Sequence, residues 1–181
     1  MKTRKIILWI FILVAVDQII KIFINLFFLE NHFEIIPSLI EFKPIFNDKH
    51  SYLNVLLNNK FNIDIGLFAH LISFLILEII VLSMYSFFRK NISKYKKLLD
   101  TAFIFQISGL ICALIGNLIW KKGTLDYLYL IPLFVFDLKD LYNNVFVILF
   151  LIYTNRNINE IKILKIKDMV SHIGNVLKKN N

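Results

Sequence analysis

Four apolar blocks, each long enough to cross a bilayer as a helix, dominate this chain: about Ile6 to Phe28, Ile65 to Phe88, Thr101 to Trp120 and Phe134 to Tyr153. Roughly 20 apolar residues span the hydrocarbon core. Within it a helix satisfies its own backbone donors and acceptors, so each block predicts a transmembrane helix. Four crossings use about 80 residues at that rate, and the remainder of a 181-residue chain is loops and tails, not a second folded domain. The expected fold is an all-α integral membrane domain, residues 1–155, with four transmembrane helices and an outer-face loop region between helices 1 and 2. A basic cytoplasmic tail, 156–181, follows.

Composition agrees. Soluble domains are about half apolar and about a quarter charged, whereas here 57% of residues are hydrophobic, 19% are charged and the mean hydropathy is +0.66. The first block follows Lys2, Arg4 and Lys5 as a signal peptide would. It is longer than a cleaved signal and lacks a small-residue cleavage site.

The net charge of +8 is distributed as a membrane protein distributes it. Three basic residues precede the first block, five lie between Arg89 and Asp100, and six follow Tyr153. The stretches Leu29 to Asp64 and Lys121 to Lys139 carry three each, so the bias is 14 against 6. Cytoplasmic segments hold the excess of Lys and Arg, which puts both termini in the cytoplasm and the two leaner segments outside. The tail mixes Ile161, Ile163, Leu164 and Ile166 with Lys162, Lys165 and Lys167; it suits either the anionic inner leaflet or a solvated anchor. Nothing interleaves basic and aromatic residues on a groove-like face, so no nucleic-acid partner is expected.

The lone cysteine, Cys112, excludes an intramolecular disulfide, and neither it nor the four dispersed histidines has metal-ligand spacing. No metal or cofactor is expected.

Ionisable side chains inside apolar spans are costly and are functional candidates by default. Asp17 and Lys21 are four apart on the first span and share a helix face. They either support a site or form a pair that holds the helix while Lys21 snorkels. Glu78 falls mid-way along the second span, as a proton or ion ligand or as a carboxylic acid bonded to a neighbouring helix. Gly109, Cys112, Ala113 and Gly116 make a small-residue face on the third span, which another helix can approach closely. Asn117 follows, to bind a substrate carbonyl or to cap the helix.

Two carboxylates flank the last extracytoplasmic hairpin: Asp126 in Gly-Thr-Leu-Asp-Tyr and Asp140 in Phe-Asp-Leu-Lys-Asp. The residues between them are mostly apolar, which predicts a hairpin in the membrane interface. Two neighbouring buried aspartates share a proton, one pKa rising while the other stays low. That supplies an acid and a base, as an aspartic protease requires to activate water.

These residues resemble signal peptidase II, the lipoprotein signal peptidase family of bacterial membranes, over roughly Val14 to Ile152. The family's Asp-Gln-x-x-Lys is matched by Asp17-Gln18-Ile19-Ile20-Lys21. Its loop Pro and Asn are matched by Pro37 and Asn47, and its Gly-Asn by Gly116-Asn117. Its two catalytic aspartates fall on Asp126, in Gly123-Thr124-Leu125-Asp126-Tyr127, and on Asp140, in Phe136-Asp137-Leu138-Lys139-Asp140. The resemblance implies an intramembrane aspartic endopeptidase, free of metal and cofactor, that cuts prolipoproteins just before a diacylglyceryl-modified cysteine. Asp126 and Asp140 would be catalytic. Asn47, Asn117 and Lys121 would position substrate, and Asp17 with Lys21 would support the site. The expected partners are lipid-modified signal peptides and membrane lipids, with the chain acting as a monomer.

The chain departs from the family at Trp120, where Asp is usual, at Lys121 for Arg, at Asp137 for Asn and at Lys139 for Ala. Lys offers a point charge where Arg makes a planar fork, and Asp137 adds a third acid. These changes motivate a rival: a non-catalytic relative that binds lipidated peptides or scaffolds a membrane complex. A small proton-coupled carrier using Asp17 and Glu78 is the third reading, weakened by the absence of a repeat that would supply a two-sided pathway.

Overall fold

The computed structural model describes residues 1–48, 52–63, 66–120, 122–164 and 168. In chain order these form helix α1 (Thr3–Phe27), strands β1 (Phe33–Ile36) and β2 (Ile40–Asn47), and helices α2 (Tyr52–Phe61), α3 (Leu67–Asn91) and α4 (Lys96–Leu118). Strands β3 (Thr124–Leu130) and β4 (Phe134–Phe136) and helices α5 (Leu138–Arg156) and α6 (Ile158–Ile163) complete the order.

Helices α1, α3 and α4 are long and apolar enough to cross a bilayer. On α1 and the first half of α3 many apolar side chains point outward: Phe11, Ile19, Phe23 and Leu26 on α1 and Phe68, Ile72 and Leu75 on α3 are exposed. The residues α1 buries are Asp17, Lys21 and Ile24. This inversion of the soluble pattern is what a lipid solvent selects, because only polar groups gain by facing protein.

The fourth apolar block does not begin as expected. Phe134–Phe136 is strand β4, and the helix starts only after Asp137, which caps it. The first two turns of α5 carry Lys139, Asp140, Asn143 and Asn144, so among the described residues three helices, rather than four, meet the length and hydropathy of a span.

The expectation of an all-α fold also needs correction. Four strands form one antiparallel sheet in the order β1-β2-β3-β4. It joins the loop after α1 to the hairpin after α4, with Ile45 opposite Asp126 and Asn47 opposite Thr124. The register slips between Phe42 and Ile45, where Pro44 sits. Proline has no N–H for the ladder and is accommodated at such bulges. The apolar hairpin expected to lie as an interfacial loop is therefore the β3–β4 half of this sheet, and Leu125 and Tyr127 pack below it against Ile24 of α1.

Helix α4 is the hub, packing most extensively against α5 and also against α1. Its small-residue face permits this. A Cβ on Gly109 would lie 2.6 Å from Asn143 Oδ1 and 3.2 Å from the Lys139 carbonyl oxygen of α5, and one on Gly116 would lie 2.8 Å from Thr124 Oγ1 of β3. At the opposite end Phe87, Phe88, Leu99, Phe103 and Tyr153 form an aromatic-rich core. Asp100 there binds Arg89 Nε at 2.8 Å, Tyr85 Oη at 2.8 Å and the amino terminus.

Candidate active site

The start of α5 organises the site. Asp137 is the N-cap and forms a reciprocal box with Asp140: Asp140 N donates to Asp137 Oδ1 at 3.3 Å, and Asp137 N donates to Asp140 Oδ2 at 3.2 Å. An acid at each position satisfies donors that the first helical turn leaves unpaired and sits where the helix dipole favours negative charge. The same box fixes the direction of the Asp140 carboxylate.

Strand β3 brings Asp126 to the same place. Thr124 and Asp126 share a face of the sheet with Asn47 of β2, because Asn47 is the direct partner of Thr124 and the diagonal neighbour of Asp126. Asn47 Nδ2 donates to Asp126 Oδ2 at 3.3 Å. Carboxylate oxygens of Asp126, Asp137 and Asp140 lie within 4.8 Å of one another. Burial pushes Asp126 above the usual carboxylate range, against the pull of the Lys139 ammonium.

Lys139 bridges the three acids. Its Nζ is 2.8 Å from Asp126 Oδ1, 3.0 Å from Asp137 Oδ1 and 3.5 Å from Asp140 Oδ2. Three such carboxylates could hold a cation, and the ammonium of Lys139 already stands among them. The chain thus supplies a cation of its own at the centre of the donor set, which offsets part of the negative charge.

The pair Asp17 and Lys21 reaches the site from α1. Both side chains are fully buried; Lys21 Nζ lies 3.0 Å from Asp17 Oδ2 and 2.6 Å from Asp137 Oδ2. Lys21 does not snorkel: it points into the protein and ties α1 to the cap of α5. Burial acts to raise Asp137, but the Lys139 and Lys21 ammoniums outweigh it and hold Asp137 below the usual range.

One of the expected substrate-positioning residues, Asn117, is bonded within its own helix. Asn117 turns back to the Ala113 carbonyl of its own helix at 2.9 Å and does not line the cavity over the acids. Lys121 lies outside the described residues. Trp120 does join the network, since its Nε1 donates to Gln18 Oε1 at 3.2 Å and Gln18 Nε2 donates to Asp17 Oδ2 at 2.8 Å.

A cavity of about 560 Å³ opens beside Asp126 and Asp140, walled by α3, α4 and α5. Glu78 lines it, accepting from Gln106 Nε2 at 3.3 Å. The bond runs between α4 and α3. Asn143 and Asn144 also line it and were not among the expected site residues. A search for charged residues in the spans passes over such amides, although polar residues one turn beyond Asp140 were the available signal.

Comparison with known proteins places this arrangement. Two solved structures, both described as a bacterial membrane enzyme determined by the in meso method, at 1.9 and 2.3 Å resolution, are similar in fold. Each has a TM-score of 0.61 at 19% identity; they cover 84% and 91% of this chain and 93% and 96% of their own. No curated protein sequence matches. The family model described as "Signal peptidase (SPase) II" matches residues 9–156, which include every described acid and lysine of the site, and the chain belongs to the signal peptidase II family.

Proposed function

We propose that this protein is an intramembrane aspartic endopeptidase that removes the signal peptide of diacylglyceryl-modified prolipoproteins, cutting just before the lipidated cysteine. One observation carries the reading: Asp126 from β3 and Asp140 from α5 converge, with carboxylate oxygens within 4.8 Å, at a cavity walled by apolar helices. Two carboxylates so close share a proton, and the pair then has an ionised member to take a proton from water and a protonated one to donate to the scissile carbonyl.

Charge balance is compatible with that proton. The cluster holds four carboxylates, Asp17, Asp126 and Asp137 buried and Asp140 partly exposed, around two ammoniums, Lys21 and Lys139. Fully ionised, it would carry an excess of two negative charges in a poorly solvated place. Taking up one proton halves that excess, and Asp126, already raised by burial, together with Asp140 is where it resides. Asn47 holds Asp126 from the sheet side and orients it. Asp17 and Lys21 act at one remove, by holding Asp137 and with it the cap that aims Asp140.

The family and the distribution of basic residues support α1, α3, α4 and α5 as the four crossings, both termini in the cytoplasm and the sheet at the outer face. The site then lies where a translocated prolipoprotein presents its modified cysteine. Asn117 reaches the peptide in this proposal by giving up its bond to the Ala113 carbonyl, and Lys121 keeps the positioning role that the family resemblance implies. The protein acts as a monomer.

Lys139 motivates a second reading. An ammonium among the carboxylates, where the family has Ala, suits a relative that binds lipidated peptides without turning them over. Mass spectrometry of a diacylglyceryl prolipoprotein incubated with the purified protein separates the two. Cleavage before the modified cysteine supports the peptidase; intact substrate that co-purifies with the protein supports the binder.

A further inference from the structure

The cavity continues from the acids along α3, α4 and α5 to a second polar group with no part in the chemistry above. Glu78 is 5% exposed. Its Oε2 accepts from Gln106 Nε2, and its Oε1 is buried without a hydrogen-bond partner among the described residues. Both side chains line the cavity between apolar neighbours such as Phe74, Leu77 and Val81. An orphaned carboxyl oxygen in such a place is costly to maintain, and a ligand in the cavity can satisfy it.

The position of the pair selects the ligand. Gly109 packs on the Lys139 carbonyl, and Gln106 lies one turn toward the start of α4, a rise of roughly 5 Å. Gln106, and Glu78 bonded to it, therefore sit deeper among the helices than Asp126 and Asp140, the depth that the peptidase reading assigns to the part of the substrate preceding the cleaved bond. A hydroxyl fits both protonation states of the carboxyl group: it donates to an ionised or carbonyl oxygen and accepts from a carboxylic O–H. An ammonium only donates and so leaves a carboxylic O–H unmet, and a carbonyl only accepts and so fits the protonated form alone.

We propose that Glu78 and Gln106 form a specificity subsite for a serine or threonine side chain in the membrane-embedded part of the signal peptide, on the amino-terminal side of the cleaved bond. This rests on the peptidase reading for the identity of the substrate, and on the cavity for the site.

The test is a set of diacylglyceryl prolipoproteins in which each of the residues ahead of the cysteine is in turn Val or Thr, a near-isosteric pair. These are cleaved by the full-length wild type, Glu78→Leu and Gln106→Leu in detergent. A buried hydrogen bond made or lost predicts a wild-type preference for Thr of about tenfold in kcat/KM at one position, carried in KM, falling toward unity in both variants. Absence of a preferred position in the wild type, or a preference that survives both substitutions, overturns the proposal. The wild-type series decides the matter even if Glu78→Leu does not fold, and Glu78→Met, which keeps the length of the side chain without its polar atoms, then replaces it. If the wild type cleaves nothing, the peptidase reading has failed on its own. The subsite is then judged by binding of the same signal peptides, where a Thr preference in Kd that depends on Glu78 supports it and no preference refutes it.

Discussion

Lys21 Nζ of α1 lies 2.6 Å from Asp137 Oδ2, the N-cap of α5, with both side chains fully buried. Two elements more than 100 residues apart are thus joined by a charge pair. Asp17 on the other side of the ammonium is 3.0 Å away, so removing Lys21 strands the buried Asp17 carboxylate and leaves Asp137 to Lys139 alone.

Lys21→Met is accordingly expected to destabilise the protein by about 3–5 kcal/mol, the usual result of breaking a buried ion pair from one side. Thermal unfolding in detergent checks this. Adding Asp17→Asn to Lys21→Met removes the stranded charge and should restore part of the loss, whereas equal melting of the single and double variants would mean that Asp17 and Lys21 are not coupled.

Asp126→Asn and Asp140→Asn should each lower cleavage of a diacylglyceryl prolipoprotein by about a thousandfold or more, within the range that general acid–base groups supply. Asp126→Asn keeps its bond with Asn47 in reach, so its melting temperature should stay near that of the wild type. Residual cleavage above a tenth of the wild-type rate in either variant would remove that residue from the chemistry.

Lys139→Ala restores the residue usual in the family and strips the acids of their nearest cation. Asp126 is already raised by burial and is lowered by Lys139, so loss of the ammonium raises it further. Both limbs of the kcat/KM profile should then move to higher pH, because more hydroxide is needed to reach the singly protonated pair. Lys139→Arg keeps the charge and should leave the limbs near their wild-type positions. A profile unmoved in Lys139→Ala would place Lys139 outside the electrostatics of the pair.

The long spans were legible because hydropathy over about 20 residues is a local property, and α1, α3 and α4 appear within a few residues of their expected places. The acids were legible through their order and their flanking motifs. The sheet was not. Its central pairing sets Asn47 against Thr124, a contact between distant segments that leaves no periodic signature in either. Phe134–Phe136 likewise belongs to a strand although it opens an apolar block, since Asp137 can cap a helix only from its first turn. The role of Lys139 was hidden for another reason: an ammonium at that position reads as a departure from the family until three carboxylates are seen around it.

Gly123 connects fold and site in one backbone contact. It adopts φ +94°, in the region that favours glycine, and a Cβ there would lie 2.3 Å from the Asn47 carbonyl oxygen. Gly123→Ala therefore strains its own backbone and pushes β2 from β3 where Asn47 pairs with Thr124. A cost of roughly 1–3 kcal/mol is expected from the dihedral alone. Asn47 would also be moved off Asp126, so activity should fall together with melting temperature. Asn47→Ala should reproduce the fall in activity with a smaller fall in stability, and Gly66→Ala, whose Cβ would meet nothing within 4 Å, should change neither. Full activity in Gly123→Ala would show that the β2–β3 junction does not position the acids.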